Sequence, residues 1–186
     1  NRDELALKPA LDILERDVLG GQILLDDRQG EPPRLVYESE SLRLPVSRVS
    51  SMVAELAPLD LWITEFLRPG DLLIVDEPEA HLHPENQRSI ASVLVRLANA
   101  GVLVVCPTHS STIVHQISNH LLASGLTPEA RKDLGFEDHD LIETEDLGVY
   151  LFEKDGDTTT ISPVPIEPGF GIAEDEFVRV AEELGD

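Results

Sequence analysis

The chain has 186 residues, of which 41% are hydrophobic, and one cysteine, Cys106; this is enough apolar material for one domain core and excludes an internal disulfide. Thirty-six acids against 14 bases leave a net charge of −22, a field that opposes nucleic-acid binding through this surface. No apolar run reaches bilayer-spanning length and no signal-peptide pattern opens the sequence, so a cytoplasmic protein with no membrane contact is expected.

Only Lys8, Lys132 and Lys154 are lysines, and the remaining bases are arginine. A strongly acidic, lysine-poor surface suits work in high salt, where self-repulsion is screened. A halophilic source and an acidic protein of a GC-rich genome both account for it. The electrostatic reading has a direct test: the melting temperature should rise as KCl is taken from low to molar concentration. A flat or falling trend would remove the argument.

In chain order, Leu5, Leu7, Leu11, Ile13, Leu14 and Val18 recur at helix-compatible spacing after Pro9, and Gly20-Gly21 ends that helix. Gln22 to Asp26 reads as a strand and Asp27 to Gly30 as a turn. Leu35 to Glu38 and Leu42 to Val46 complete a small antiparallel sheet. Ser50 to Phe66 predicts a helix with Ser50 or Ser51 as N-cap and Pro58 as a point of kinking. Pro69-Gly70 closes it. Leu72–Val75 reads as a buried strand, then a helix from Pro84 to Ala98 with Ile90, Val93, Leu94 and Leu97 inward. Val102–Cys106 is the next strand, with a buried and inert Cys106. A helix from Ser111 to Leu122 follows. Strands and helices alternating over short links predict an α/β fold with a parallel sheet. Residues 123–148 are acid-rich and weakly periodic, with a short helix at Pro128 to Leu134. Tyr150 to Glu153 and Thr158 to Val164 flank the hairpin turn Lys154-Asp-Gly-Asp157, and Ile172 to Leu184 reads as a closing helix.

The chemistry concentrates between Asp71 and Gln87. The apolar run Leu72–Val75 stops at Asp76 and Glu77, and Pro78 bars further ladder pairing. Two acids are thereby delivered to the carboxyl edge of a sheet, where ligands of open α/β folds bind. Asp at such a tip can hold Mg²⁺ on a nucleotide phosphate, and the next Glu can take a proton from water. Alternation along a strand would point the two carboxylates to opposite sides and divide those roles. His109 follows the next apolar strand at the same edge. His81 and His83 invite a Zn²⁺ reading, which ranks below the place at a dimer seam, or in orienting Glu77, that the D-loop resemblance described next implies. A serine-hydrolase reading of Ser110, His109 and Asp76 lacks the Gly-x-Ser-x-Gly elbow. Thr108 and Ser110 read as caps.

The tract Asp76-Glu-Pro-Glu-Ala-His-Leu-His-Pro84 resembles the Walker B motif and D-loop of ABC-type ATPases, in the form found in AAA/ABC-like, RecF-type and OLD-type proteins. Upstream, Ser47 to Leu59 is similar to the signature segment, with Met52 where many members have Gly. Downstream, Val102 to Ser110 is similar to the switch-histidine segment. The resemblance implies a P-loop NTPase-like core using ATP and Mg²⁺. Asp76 would organise the metal, Glu77 would be the general base, and His109 would reach the γ-phosphate. Ser50 and Ser51 would press on the nucleotide of a second subunit in an ATP-bound homodimer.

The phosphate loop Gly-x-x-x-x-Gly-Lys-Ser/Thr, which the family uses to cradle phosphates, does not occur in these 186 residues. The chain is therefore expected to be the C-terminal part of an ATPase domain, inactive alone. In it, residues 1–49 form a helix and hairpin region, 50–122 the α/β core, and 123–186 an excursion, hairpin and terminal helix. An N-terminal lobe or partner chain would supply the phosphate loop. Any nucleic-acid contact of the complete protein would run through other surfaces. The alternative is a non-catalytic interaction or regulatory half-domain acting with such a partner.

Overall fold

A computed structural model describes residues 2–27, 32–167 and 169–173, and the chain divides into two compact units, Asn1–Ile113 and Val114–Asp186. The fold is mixed α/β, as expected. In the first unit, helix α1 (Arg2–Ile13) runs through Pro9 and widens into a π-helical stretch, Leu14–Leu19. Pro9 lacks the N–H that would bond Leu5, and Leu5 lies on the water-facing side. The Pro9 carbonyl accepts a hydrogen bond from the Arg96 guanidinium at 3.0 Å. Gly20 ends the helix at φ +65°, a left-handed cap that glycine adopts without strain. A Cβ on Gly21 would collide with the Glu38 carbonyl and the Tyr37 ring, so the second glycine admits the neighbouring strand.

Strands β1 (Gln22–Asp26), β2 (Arg34–Glu38) and β3 (Arg43–Pro45) form the antiparallel sheet in order β1-β2-β3. Ile23 pairs with Tyr37, and Tyr37 with Leu44. The predicted turn at Asp27 to Gly30 lies largely outside the described residues. The Tyr37 hydroxyl lies 2.9 Å from the carbonyls of both Leu19 and Gly20 and fastens the sheet to the end of the π-helical stretch.

Helix α2 (Ser51–Glu65) starts at Ser50, whose hydroxyl accepts the Val53 N–H at 3.4 Å, and it continues through Pro58. Helix α3 (Pro84–Asn99) carries Pro at its first position, where no intrahelical donor is lost. Its inward residues Ile90, Val93, Leu94 and Leu97 are all buried in one core with Leu7 of α1, Leu14 of the π-helical stretch, and Leu56 and Ile63 of α2. Each such side chain contributes about 1.5–3 kcal/mol on burial.

Strands β4 (Leu72–Ile74) and β5 (Leu103–Val105) pair in parallel, Leu73 opposite Val104. Here the expectation of a buried strand is only half met. Leu73 is buried on the helix side, but Leu72, Ile74, Leu103 and Val105 are 44–65% exposed on the other. An apolar run reads alike whether one face or both are covered. Parallel sheets normally have both covered. Among the described residues no helix is long and apolar enough to cross a membrane.

The second unit holds most of α4 (Ser111–Ser124), then α5 (Pro128–Asp133), the hairpin β6 (Tyr150–Asp155) and β7 (Thr158–Pro163), and the short pair β8 (Ile166–Glu167) and β9 (Gly171–Ile172). The acid-rich stretch is ordered by capping. Thr127 Oγ1 accepts the Ala130 N–H, and the Arg131 guanidinium donates to the Ala123 and Ser124 carbonyls at the end of α4. Val114, Val164 and Ile172 form a small core. Ile172 thus belongs to a strand, and the rest of the predicted closing helix, from residue 174, lies outside the described residues.

Candidate nucleotide-binding site

The parallel pair brings two sequence-distant loops side by side. Beyond Ile74, Val75 still donates to the Val105 carbonyl at 2.9 Å, and Glu77 then donates to the Pro107 carbonyl at 2.9 Å. Glu77 sits at φ +43°, left-handed backbone that a non-glycine residue rarely adopts. Such strain persists where surrounding structure enforces it, and it gathers at functional sites. Strand alternation therefore does not set the directions of Asp76 and Glu77. The regular strand has ended at Ile74, and the left-handed turn aims the Glu77 side chain. Ala80 N–H returns to the Glu77 carbonyl at 3.0 Å and closes that turn.

The Glu77 carboxylate meets the His109 imidazole, with Oε1 and Nε2 3.4 Å apart. Asp76, Glu77 and His109 are all exposed, so the three stand at the carboxyl edge of β4 and β5, open to an incoming ligand. The Asp76 carboxylate, next to Glu77 in the chain, offers hard oxygens of the kind Mg²⁺ takes, one or two carboxylates with several waters kept. A carboxylate touching an imidazole can also share in moving a proton.

Ser50 and Ser51 stand exposed at the start of α2, where unpaired backbone amides favour anions. Among the described residues no hydrogen bond or ion pair joins them to Asp76, Glu77 or His109. Two side-chain contacts tie the first turns of α2 to the turn after β4 and to the start of α3. His81 Nε2 lies 3.5 Å from Glu55 Oε2, and Asn86 Nδ2 lies 3.2 Å from Met52 Sδ. His81 is the other non-glycine residue at positive φ, +60°. His83 caps α3, its Nδ1 accepting the Glu85 N–H at 3.4 Å. The two histidines are thus engaged separately.

Two residues escaped the sequence reading. Glu79 Oε1 accepts the backbone N–H of His109 at 2.6 Å, and Gln87 Oε1 accepts the Ser110 hydroxyl at 2.6 Å. Both are visible as polar residues near the acidic turn, but nothing local links them to a loop more than twenty positions away. Ser110 Oγ also accepts the Ile113 N–H at 3.2 Å, and Thr108 Oγ1 the Ser110 N–H at 3.0 Å, so both hydroxyls act as caps. Cys106 is half-buried. Burial first, then the nearby carboxylates of Glu79 and Asp76, push its thiol up to about 12, which keeps it protonated and unreactive.

Among the described residues, Glu137, His139 and Asp140 form the one group with metal-compatible donors. Its carboxylates already serve the backbone. Asp140 Oδ2 accepts the Glu137 N–H at 2.9 Å in a reciprocal capping box, and His139 lies 2.7 Å from Glu137.

A family profile described as "AAA domain, putative AbiEii toxin, Type IV TA system" matches residues 17–115, a span that holds Ser50, Ser51, Asp76, Glu77 and His109. The Old nuclease of Escherichia phage P2 is 31% identical over 64 residues, 34% of this chain and 11% of the nuclease. The chain thus matches about a tenth of that relative's length. An SMC ATPase, solved in work on ATP-driven dimerization and DNA stimulated activation, shares the fold. The TM-score is 0.57 at 10% identity, over 98% of this chain and 93% of that one.

Proposed function

The chain belongs to this AAA-domain family of ABC-type ATPases, the OLD/RecF-like group, and from that premise we propose that it supplies the Walker B, signature and switch-histidine side of an ATP-hydrolysing site. The observation that carries the reading is the meeting of Glu77 and His109 at 3.4 Å beside Asp76, at the ends of two parallel strands. Bound Mg-ATP would supply the electrophilic γ-phosphate. Asp76 holds the metal, directly or through water. Glu77 takes a proton from the attacking water. His109 hydrogen-bonds the phosphate side and steadies that water. Ser50, Ser51 and the amides of the first turn of α2 receive the phosphate held by a second subunit.

The phosphate loop comes from another lobe or chain. The open apolar face of β4 and β5 supports this reading, since four exposed aliphatic side chains on a parallel pair are a surface for further structure to cover. Dimerisation on ATP, as in the SMC ATPase, would then place two composite sites between two subunits. Calorimetry of the 186-residue chain with Mg-ATP should give no micromolar binding, because the phosphate cradle is missing from its sequence. Micromolar binding would overturn the division of labour. The second reading, a non-catalytic half-domain, draws on the same uncovered face. It predicts that the complete assembly binds its partner through that face and hydrolyses no ATP.

A further inference from the structure

Packing does not place His109. Its side chain is 88% exposed, so no core holds the imidazole within reach of Glu77. What holds it is backbone, and that backbone is tied to the acidic turn at two points. The Glu77 N–H donates to the Pro107 carbonyl at 2.9 Å, and the His109 N–H donates to Glu79 Oε1 at 2.6 Å. The second bond is charge-assisted, and such bonds are shorter and stronger than neutral ones. Glu79 is half-buried, and its other oxygen, Oε2, is shielded from water and, among the described residues, has no hydrogen-bond partner. A carboxylate kept in that setting for a single backbone amide is costly unless the amide's position matters.

We propose that Glu79 is a positioning residue of the ATPase site: its carboxylate fixes the main chain at His109 and so sets the Glu77–His109 distance. Gln87 holds the following residue through Ser110, so the switch loop is anchored from the acidic turn and from α3. Glu79 and His109 are thirty positions apart. A change at one loop, such as nucleotide arriving at His109, is therefore passed to the turn that carries Glu77. This inference rests on the ATPase reading.

The experiment compares Glu79→Ala, Glu79→Gln and Glu77→Gln in the complete ATPase, meaning this chain with the lobe that carries the phosphate loop. In parallel, the His109 amide proton is followed by NMR in the chain itself. Glu79→Ala should lower kcat by about 10- to 100-fold with KM for ATP changed less than about twofold, since a displaced group costs rate rather than nucleotide contact. Glu79→Gln should recover most of that rate, because its amide oxygen still accepts the bond. The His109 amide should resonate downfield in the unaltered chain, move upfield in Glu79→Ala and lie between in Glu79→Gln. If Glu77→Gln abolishes hydrolysis while Glu79→Ala keeps kcat, the positioning role is wrong and the ATPase reading stands. If Glu77→Gln hydrolyses ATP normally, Glu77 is not the base and the Glu77–His109 distance that Glu79 would set has no catalytic part, which overturns the positioning role; if the unaltered complete protein hydrolyses no ATP, the ATPase assignment falls. An unshifted His109 amide in Glu79→Ala overturns the hydrogen bond itself.

Discussion

Glu77→Gln in the complete ATPase should slow single-turnover hydrolysis by about 10²–10⁴-fold while ATP is still bound, the usual worth of a positioned general base. Glutamine keeps the shape and some of the hydrogen bonding but cannot accept a proton. The left-handed backbone at Glu77, φ +43°, depends on the Glu77–Pro107 and Ala80–Glu77 hydrogen bonds, neither of which involves the side chain, so the turn should survive the substitution. ATP that is bound and not hydrolysed should hold two subunits together, and sizing chromatography with ATP should reveal a dimer. Asp76→Asn should instead weaken Mg-ATP binding, because it removes charge from the metal side. Hydrolysis at the unaltered rate in Glu77→Gln would mean that another group activates the water, with His109 next in line.

The second large effect lies in the core. Asp60 on α2 is fully buried; one oxygen accepts the Ile23 N–H at 3.2 Å and the other, among the described residues, has no partner. Burial first, and the negative charge of Glu15 second, push its carboxyl up to about 7 despite the Ile23 bond. Its ordinary value is 3.8. The folded chain therefore keeps this proton between about pH 4 and pH 7, where the unfolded chain has lost it. A group raised in this way costs stability as pH climbs through that window, by about 4 kcal/mol in all. Asp60→Asn stays neutral at every pH and can still accept from Ile23, at a cost of about 1–3 kcal/mol for its buried amide donors. Urea unfolding should find the variant more stable than the unaltered chain by about 1–3 kcal/mol at pH 8, and no more stable at pH 5. A difference independent of pH would show that Asp60 does not titrate in that window.

Local chemistry was legible in the sequence, and long-range chemistry was not. Periodicity found the inward face of α3 residue by residue, and the end signals at Ser50, Pro84 and Gly20 placed their helix ends to within a position or two. The acidic turn was legible because an apolar run that stops at two carboxylates and a proline has few structural uses. The left-handed conformation at Glu77 and His81 was not, since no glycine marks it. The widening of the first helix into a π stretch was hidden as well, because its side-chain pattern also fits an α-helix. The bare face of β4 and β5 could not be read from an apolar run. Glu79 and Gln87 were unreadable for a related reason: their partners are set by strand pairing rather than by spacing.

That bare face has a consequence for how the chain lives before it meets its complement. Four exposed aliphatic side chains beside unpaired strand edges form a template on which another copy could stack. Every copy also carries 22 excess negative charges, and two such bodies repel before the patches touch. The acidity thus acts as a chaperone written into the composition. It works to keep like chains apart, and a less acidic partner would meet the template with less repulsion. Its protection reaches only about a Debye length, roughly 10 Å at 0.1 M salt and 3 Å at 1 M. Salt that screens self-repulsion inside the folded chain would thereby also thin the barrier between chains, so that folding strength and colloidal safety would pull in opposite directions.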